Sequence, residues 1–180
     1  YQYRKNGTFL VRKNIVLASF AVYMITAFFM TLLPLPSIEA VKNMAPVRAN
    51  YHPFLFVKTF LNESGFIWNE MGTWFRAFCS PSFYTVAFNV LLTLPFGVYL
   101  RKYFNKGLFQ TAVLGFLLSF FYEATQYTGV WWIYPHAFRY PDVDDLIVNT
   151  LGTVVGFYAA GLLDKLLPDP MKDKSLKTEY

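Results

Sequence analysis

The sequence predicts an all-α integral membrane protein of four transmembrane helices, and three observations predict it. Only 15% of the 180 residues are charged, whereas 55% are hydrophobic and 21% aromatic. Soluble domains average about a quarter charged, so the apolar excess places this chain in lipid. Four stretches approach the roughly 20 apolar residues that a helix needs to cross a bilayer core. Lysines and arginines flank those stretches in sets that fall on one side of a four-span hairpin array.

The first span, residues 15–33, carries no charge. Its apolar run is longer than a signal-peptide core, and no small-x-small cleavage site follows, so it reads as a retained anchor. Pro34 and Pro36 stop it. The loop 34–82 is long and aromatic, with Tyr51-His52-Pro53-Phe54-Leu55-Phe56 near its middle. Further on, Ile67, Met71, Trp74, Phe75 and Phe78 recur at helical spacing, with Asn69, Glu70 and Thr73 between them. A short amphipathic helix in the headgroup layer fits that pattern. A lid packed over the bundle fits equally, and a groove for an acyl or isoprenoid chain is the sharper alternative.

The second span, 83–100, is uncharged and carries the ladder Asn89, Thr93, Gly97 beside Pro95. Small residues at that spacing read as helix packing, with Asn89 the open case because of its depth. The third span, 108–127, holds one charge, Glu123, with Gln126 three residues on and therefore on the same face. The loop 128–145 brings Arg139, Asp142, Asp144 and Asp145 to the mouth of the fourth span. That span, 146–167, is uncharged until Asp164 and Lys165, and a tail, 168–180, follows. It carries Asn149 and the seam Gly152, Gly156, Ala160, which either packs inside one molecule or joins two.

Orientation follows from the cations. Arg4, Lys5, Arg12 and Lys13 precede the first span; Arg101, Lys102 and Lys106 separate the second from the third; Lys165, Lys172, Lys174 and Lys177 follow the fourth. Both termini are therefore expected in the cytoplasm, with loops 34–82 and 128–145 outside. The net charge of +5 does not point to nucleic acid, because the basic residues sit beside the apolar segments. The one cysteine, Cys79, excludes an intramolecular disulfide.

This topology draws scattered polar residues to one depth. At 1.5 Å per residue, Asn89 is expected roughly 9 Å, Glu123 roughly 6 Å and Asn149 roughly 5 Å below the outer surface of the core. An unpaired carboxylate in hydrocarbon costs at least ~2.5 kcal/mol at the bilayer centre, somewhat less near the surface. Glu123 must therefore face the bundle and find a partner or a proton. One reading is structural: Arg48 and Arg139 pair with the carboxylates and clip the loops to the helix ends. Glu123, Asp142, Asp144 and Asp145 nevertheless outnumber those cations. The surplus suits a hard divalent cation such as Mg²⁺ or Ca²⁺, a proton transfer step, or recognition of phosphate, ammonium or peptide groups on a lipid carrier. Zinc is disfavoured, since His52 and His136 are isolated. No nucleophile elbow, phosphate-cradling glycine loop or zinc-protease motif is present, and Ser119, one turn before Glu123, reads as a packing serine.

Three elements resemble the VanZ family of small bacterial membrane proteins. Arg48-x-Asn50-x-x-Pro53-Phe54 is similar to its R-x-N-L-I-P-F element, with Tyr51-His52 in place of Leu-Ile. Asn89-Val-Leu-Leu-Thr-Leu-Pro95-Phe-Gly97 is similar to its N-x-x-x-x-x-P-F-G span. The third and most specific is Glu123-x-x-Gln126 followed by Arg139-x-x-Asp142-x-Asp144-Asp145-x-x-x-Asn149-x-x-Gly152-x-x-x-Gly156. The likeness covers roughly residues 15–165. It implies a role in resistance to glycopeptide antibiotics, teicoplanin in particular, through a mechanism that the family name does not supply. Teicoplanin carries a fatty acyl tail and acts at the outer leaflet, where wall-precursor lipids are displayed.

The expected function is an outward polar pocket in a bacterial cytoplasmic membrane that binds or alters a lipid-linked envelope ligand. Its partners would be membrane lipid, a lipid-linked wall precursor or a lipoglycopeptide, and no nucleic acid. Arg48 and Arg139 are the candidates for anionic groups. Glu123, Asp142, Asp144 and Asp145 are the candidates for a cationic group or a metal, and Asn50, Asn89, Gln126 and Asn149 for orienting the ligand. The alternative is a metal-dependent hydrolase or transferase acting on prenyl phosphates or wall precursors. An ion or proton carrier is disfavoured, because the inner half of the bundle offers no charged relay.

Overall fold

A computed structural model describes residues 11–163. Arg4, Lys5, Asp164, Lys165 and the basic tail lie outside that range. Among the described residues the chain forms eight helices and no strand. Four of them are long and apolar enough to cross a membrane: α1 (Val11–Leu32), α5 (Pro81–Lys102), α6 (Leu108–Tyr127) and α8 (Val143–Leu163). Four shorter helices fill the connections: α2 (Ile38–Asn43), α3 (Leu55–Ser64), α4 (Met71–Phe78) and α7 (Gly129–Trp132). The chain is a multi-pass membrane protein. α1 and α6 end, and α5 and α8 begin, at the end of the bundle that carries both long connections, here called the loop end.

The local sequence accounts for the boundaries. Ser80 caps α5 by accepting from the Phe83 N–H, and Pro81 sits at the first helical position, where a missing N–H does no harm. Asp142 does the same for α8: its Oδ1 accepts from the Asp144 N–H at 2.8 Å. α8 therefore starts at Val143, and Asp144 and Asp145 lie in its first turn, where negative charge meets the positive end of the helix dipole. Measured from these starts, Asn89 lies about 12 Å and Asn149 about 9 Å from the loop end, each deeper than expected. Glu123, four residues from the end of α6, stays at about 6 Å.

The core is the crossing of α5 and α8, with α6 against both. Here the glycines decide the geometry. A Cβ on Gly156 would collide with the Leu94 carbonyl, and one on Gly97 with the Thr153 carbonyl, so the two backbones meet with nothing between them. The Gly152/Gly156 seam is thus buried inside one molecule rather than left for a second copy. At the opposite end, Arg101 reaches across this crossing: its Nη1 donates to the Phe157 carbonyl at 2.9 Å and its guanidinium lies 4.5 Å from the Phe157 ring centre.

α1 is attached mainly by aromatic contacts. Phe20 packs on Phe96, Tyr99 and Phe104, and Phe28 on Phe121 and Tyr122. The Tyr23 hydroxyl donates to the Leu92 carbonyl at 2.7 Å, beside the proline-interrupted part of α5. The amphipathic pattern of the first long loop becomes α4, with Ile67 just outside it. Its apolar face is not a lid: Met71, Phe75 and Phe78 are exposed, as is Trp68 in the preceding turn, while Ala77 is buried. An exposed apolar stripe on a helix leading straight into a membrane span is what an interfacial helix presents to lipid.

Candidate functional site

The loop end is held together by polar side chains that take backbone groups as partners. Both oxygens of Asp144, which is 3% exposed, accept N–H groups from the start of α3: Oδ1 from Phe54 and Oδ2 from Phe56, the latter at 2.8 Å. Phe54 begins α3 in a left-handed conformation with no side-chain cap of its own, so Asp144 supplies the cap from 90 residues away. Asn50 and Asp142 face each other in a single parallel bridge. Asn50 N–H donates to the Pro141 carbonyl at 2.9 Å, Val143 N–H to the Asn50 carbonyl at 3.1 Å, and Asn50 Nδ2 to Asp142 Oδ1 at 2.7 Å. Glu123 completes this clip, its Oε2 accepting from the Asp142 N–H at 2.7 Å.

The cations do something else. Arg139 Nη1 donates to the Thr31 carbonyl at 2.9 Å and Nη2 to the Leu33 carbonyl, and Gln126 Nε2 adds a bond to Thr31 at 3.3 Å. Together they serve the C-terminal carbonyls of α1, which have no partner within the helix. Arg48 is exposed and makes no such contact. The expected Arg–carboxylate network is therefore corrected. A clip exists, but carboxylates bind helix-start N–H groups and the arginine binds helix-end carbonyls. Each charge complements a helix end rather than the other charge.

Behind the clip lies a cavity of 360 Å³ between α1, α5, α6 and α8. Asn89, Glu123, Gln126, Arg139, Asp145 and Asn149 all line it. Asn89 Nδ2 donates to Asp145 Oδ1; Asn149 Nδ2 donates to Ser119 Oγ at 2.9 Å, and that hydroxyl donates to the Asp145 carbonyl at 3.2 Å. Two buried polar atoms of residues that line the cavity have no partner: the Tyr122 hydroxyl and Asn149 Oδ1, on side chains 2% and 4% exposed. Buried polar atoms are nearly always hydrogen-bonded, so two orphans beside one cavity are unusual. In sequence, Tyr122 is marked only by its position four residues before Gln126.

Glu123 also belongs to a second recess. A groove of 370 Å³ runs over Tyr51, Phe120, Ala124, Tyr127, Val143 and Leu146, with Asn50, Asp142 and Glu123 at its polar edge. A third recess, of 260 Å³ beneath α3, shares Asn89 and Asp145 with the main cavity and also reaches Asp142 and Asp144. Of the ten residues expected at the site, the structure brings nine to these three recesses. Arg48 is the one it does not.

The donors do not fit a divalent cation. Among the described residues no three His, Cys, Asp or Glu side chains are grouped so as to hold a metal ion. The physical reason is that both Asp144 oxygens and one oxygen each of Asp142, Glu123 and Asp145 already accept N–H groups.

A family model described as VanZ/LLP1 matches residues 20–164, which takes in every residue of the clip and the cavity. The chain belongs to the VanZ/LLP1 family. No curated protein and no solved structure matches it. The matched region runs from within α1 to the end of α8 and takes in the other two spans and both long connections.

Proposed function

We propose that this VanZ/LLP1 protein binds an amphiphile of the bacterial envelope, its head in the 360 Å³ cavity and its chain in the adjoining apolar groove, and that this binding reduces the action of lipoglycopeptides such as teicoplanin. The observation that carries the reading is the position of Glu123. One carboxylate lines both a cavity rich in polar side chains and an aromatic- and aliphatic-lined groove. That juxtaposition matches a molecule with a polar head and an apolar tail. With the termini in the cytoplasm, as the lysine and arginine distribution favours, both recesses face the leaflet where lipid-linked wall precursors and acylated antibiotics meet.

A metal-dependent hydrolase or transferase is the weaker reading, because the carboxylates are committed to backbone and amide partners. The test is drug susceptibility of a sensitive Gram-positive host expressing the chain, comparing teicoplanin with vancomycin, which lacks the acyl tail. Selective protection against teicoplanin, lost in Glu123→Gln at equal membrane abundance, is expected. Equal protection by Glu123→Gln would refute the reading. Cys79, exposed just before α5, checks orientation in the same cells, since a membrane-impermeant maleimide should label it from outside.

A further inference from the structure

We infer that the left-handed turn after α6 is a bilayer anchor, which sets Trp131, Trp132 and Ile133 into the boundary between headgroups and acyl chains at the loop end. The inference goes beyond the ligand reading and does not depend on what the cavity binds. It starts from backbone conformation. Val130 and Trp131 have φ/ψ of 55°/60° and 55°/48°, and Gly129 and Trp132 flank them with φ of 61° and 65°. A run of left-handed residues is costly for L-amino acids, most of all for a β-branched one, so something must hold it. Gly129 opens it where no side chain fits, since a Cβ there would lie 2.9 Å from the carbonyl oxygens of Tyr134 and His136.

What the turn achieves is a reversal. Tyr127 ends α6, yet the Trp131 ring lies 5.9 Å from that of Phe121, about 9 Å back down the helix. Phe121 is itself 43% exposed on a helix long and apolar enough to span the membrane. Trp131 thus continues a lipid-facing surface rather than standing above it. Trp132 and Ile133 beside it are 77% and 61% exposed.

Composition and bonding agree with that placement. Between Glu123 and Arg139 there is no Asp, Glu, Lys or Arg. The amides of Trp131, Trp132 and Tyr134 are satisfied within the segment. Trp131 donates to Thr128 Oγ1 at 3.0 Å, and Trp132 and Tyr134 to the carbonyls of Thr128 and Gly129 at 2.9 Å each. Backbone in contact with lipid needs such internal partners, whereas a loop in water does not. Tryptophan is enriched at membrane–water boundaries, where an amphipathic ring fits. The anchor is also tied to the cavity. Tyr134 is buried and donates to the Pro36 carbonyl at 2.8 Å, while Gln126 and Arg139, on either side of the turn, hold the end of α1.

The experiment uses the full chain in phosphatidylcholine vesicles and reads tryptophan emission. Trp68→Phe combined with Trp74→Phe leaves Trp131 and Trp132 as the reporters. Phosphatidylcholine carrying bromine near the head end of its chains should quench more than half of this emission. Bromine near the terminal methyl should quench less, and aqueous iodide on both sides of the bilayer least. Quenching by iodide but not by bromine would place the turn in water and overturn the inference. Shielding from both would give the surface to a second copy of the chain, and strongest quenching by the terminal bromines would bury it in hydrocarbon; either result overturns the inference too. Trp68 and Trp74 pack on each other, so a second comparison leaves them in place. Trp132→Phe, at an exposed position, should lower the bromine-quenched share of the natural chain's emission, and an unchanged share would contradict the anchor.

Discussion

At the scale of single residues, two carboxylates that are neighbours in sequence have different jobs. Asp144 is a structural cap, with both oxygens on N–H groups of α3, whereas Asp145 keeps one oxygen without a donor in the cavity. Replacing Asp144 with Ala strips two charge-assisted bonds from a helix start and should destabilise the α3 attachment by about 2 kcal/mol. Hydrogen exchange reads this directly: the Phe54 and Phe56 amides should lose protection in Asp144→Ala. Unchanged protection there would show that α3 is held by something else. The sequence placed Asp144 and Asp145 together because helix pitch and charge are legible in it. It did not separate them, because their partners are backbone groups whose positions depend on the path of a 48-residue connection, 33–80.

At the scale of elements, the crossing of α5 and α8 sets the position of every cavity residue. Asn89 reaches Asp145 only because Gly97, Gly152 and Gly156 let the two helices close up about two and three turns further in. Gly156→Val therefore inserts a branched side chain where the Leu94 carbonyl lies. Overpacking of this kind costs about 1–3 kcal/mol in a well-packed core. The expected result is a lower midpoint in thermal unfolding of the detergent-solubilised chain. Gly107→Ala, at a glycine with no atom within 4 Å of the added carbon, is the contrast and should be close to neutral. Equal stability of the two variants would deny the close crossing. The glycine ladder was plain in the sequence; its partner was not, since a small-residue stripe is equally ready to meet a neighbour in the same chain or a second copy. The matching stripe Asn89, Thr93, Gly97 on α5 resolves that choice once the helices are in place.

At the scale of the molecule, the polar groups attach the loops to the helix ends and line the cavity behind them. Charged groups that hold the loops take helix ends as partners, which leaves one oxygen each of Glu123, Asp145 and Asn149 without a protein donor. The four spans were legible because uncharged runs of bilayer length admit little else. The cavity was largely legible too, because the hairpin topology puts Asn89, Glu123 and Asn149 at similar depth. α2 and α3 were not: they are short, and α3 depends on a cap from another part of the chain. Photocrosslinking tests whether an amphiphile sits across Glu123. An amphiphile with a diazirine near the head end of its tail would be irradiated in membranes containing the protein, and the adducts mapped by mass spectrometry. Adducts on Tyr51, Phe120, Tyr127 and Leu146 that disappear in Glu123→Gln are predicted. Adducts scattered over exposed surface residues such as Phe109 and Leu162, and indifferent to Glu123→Gln, would contradict it.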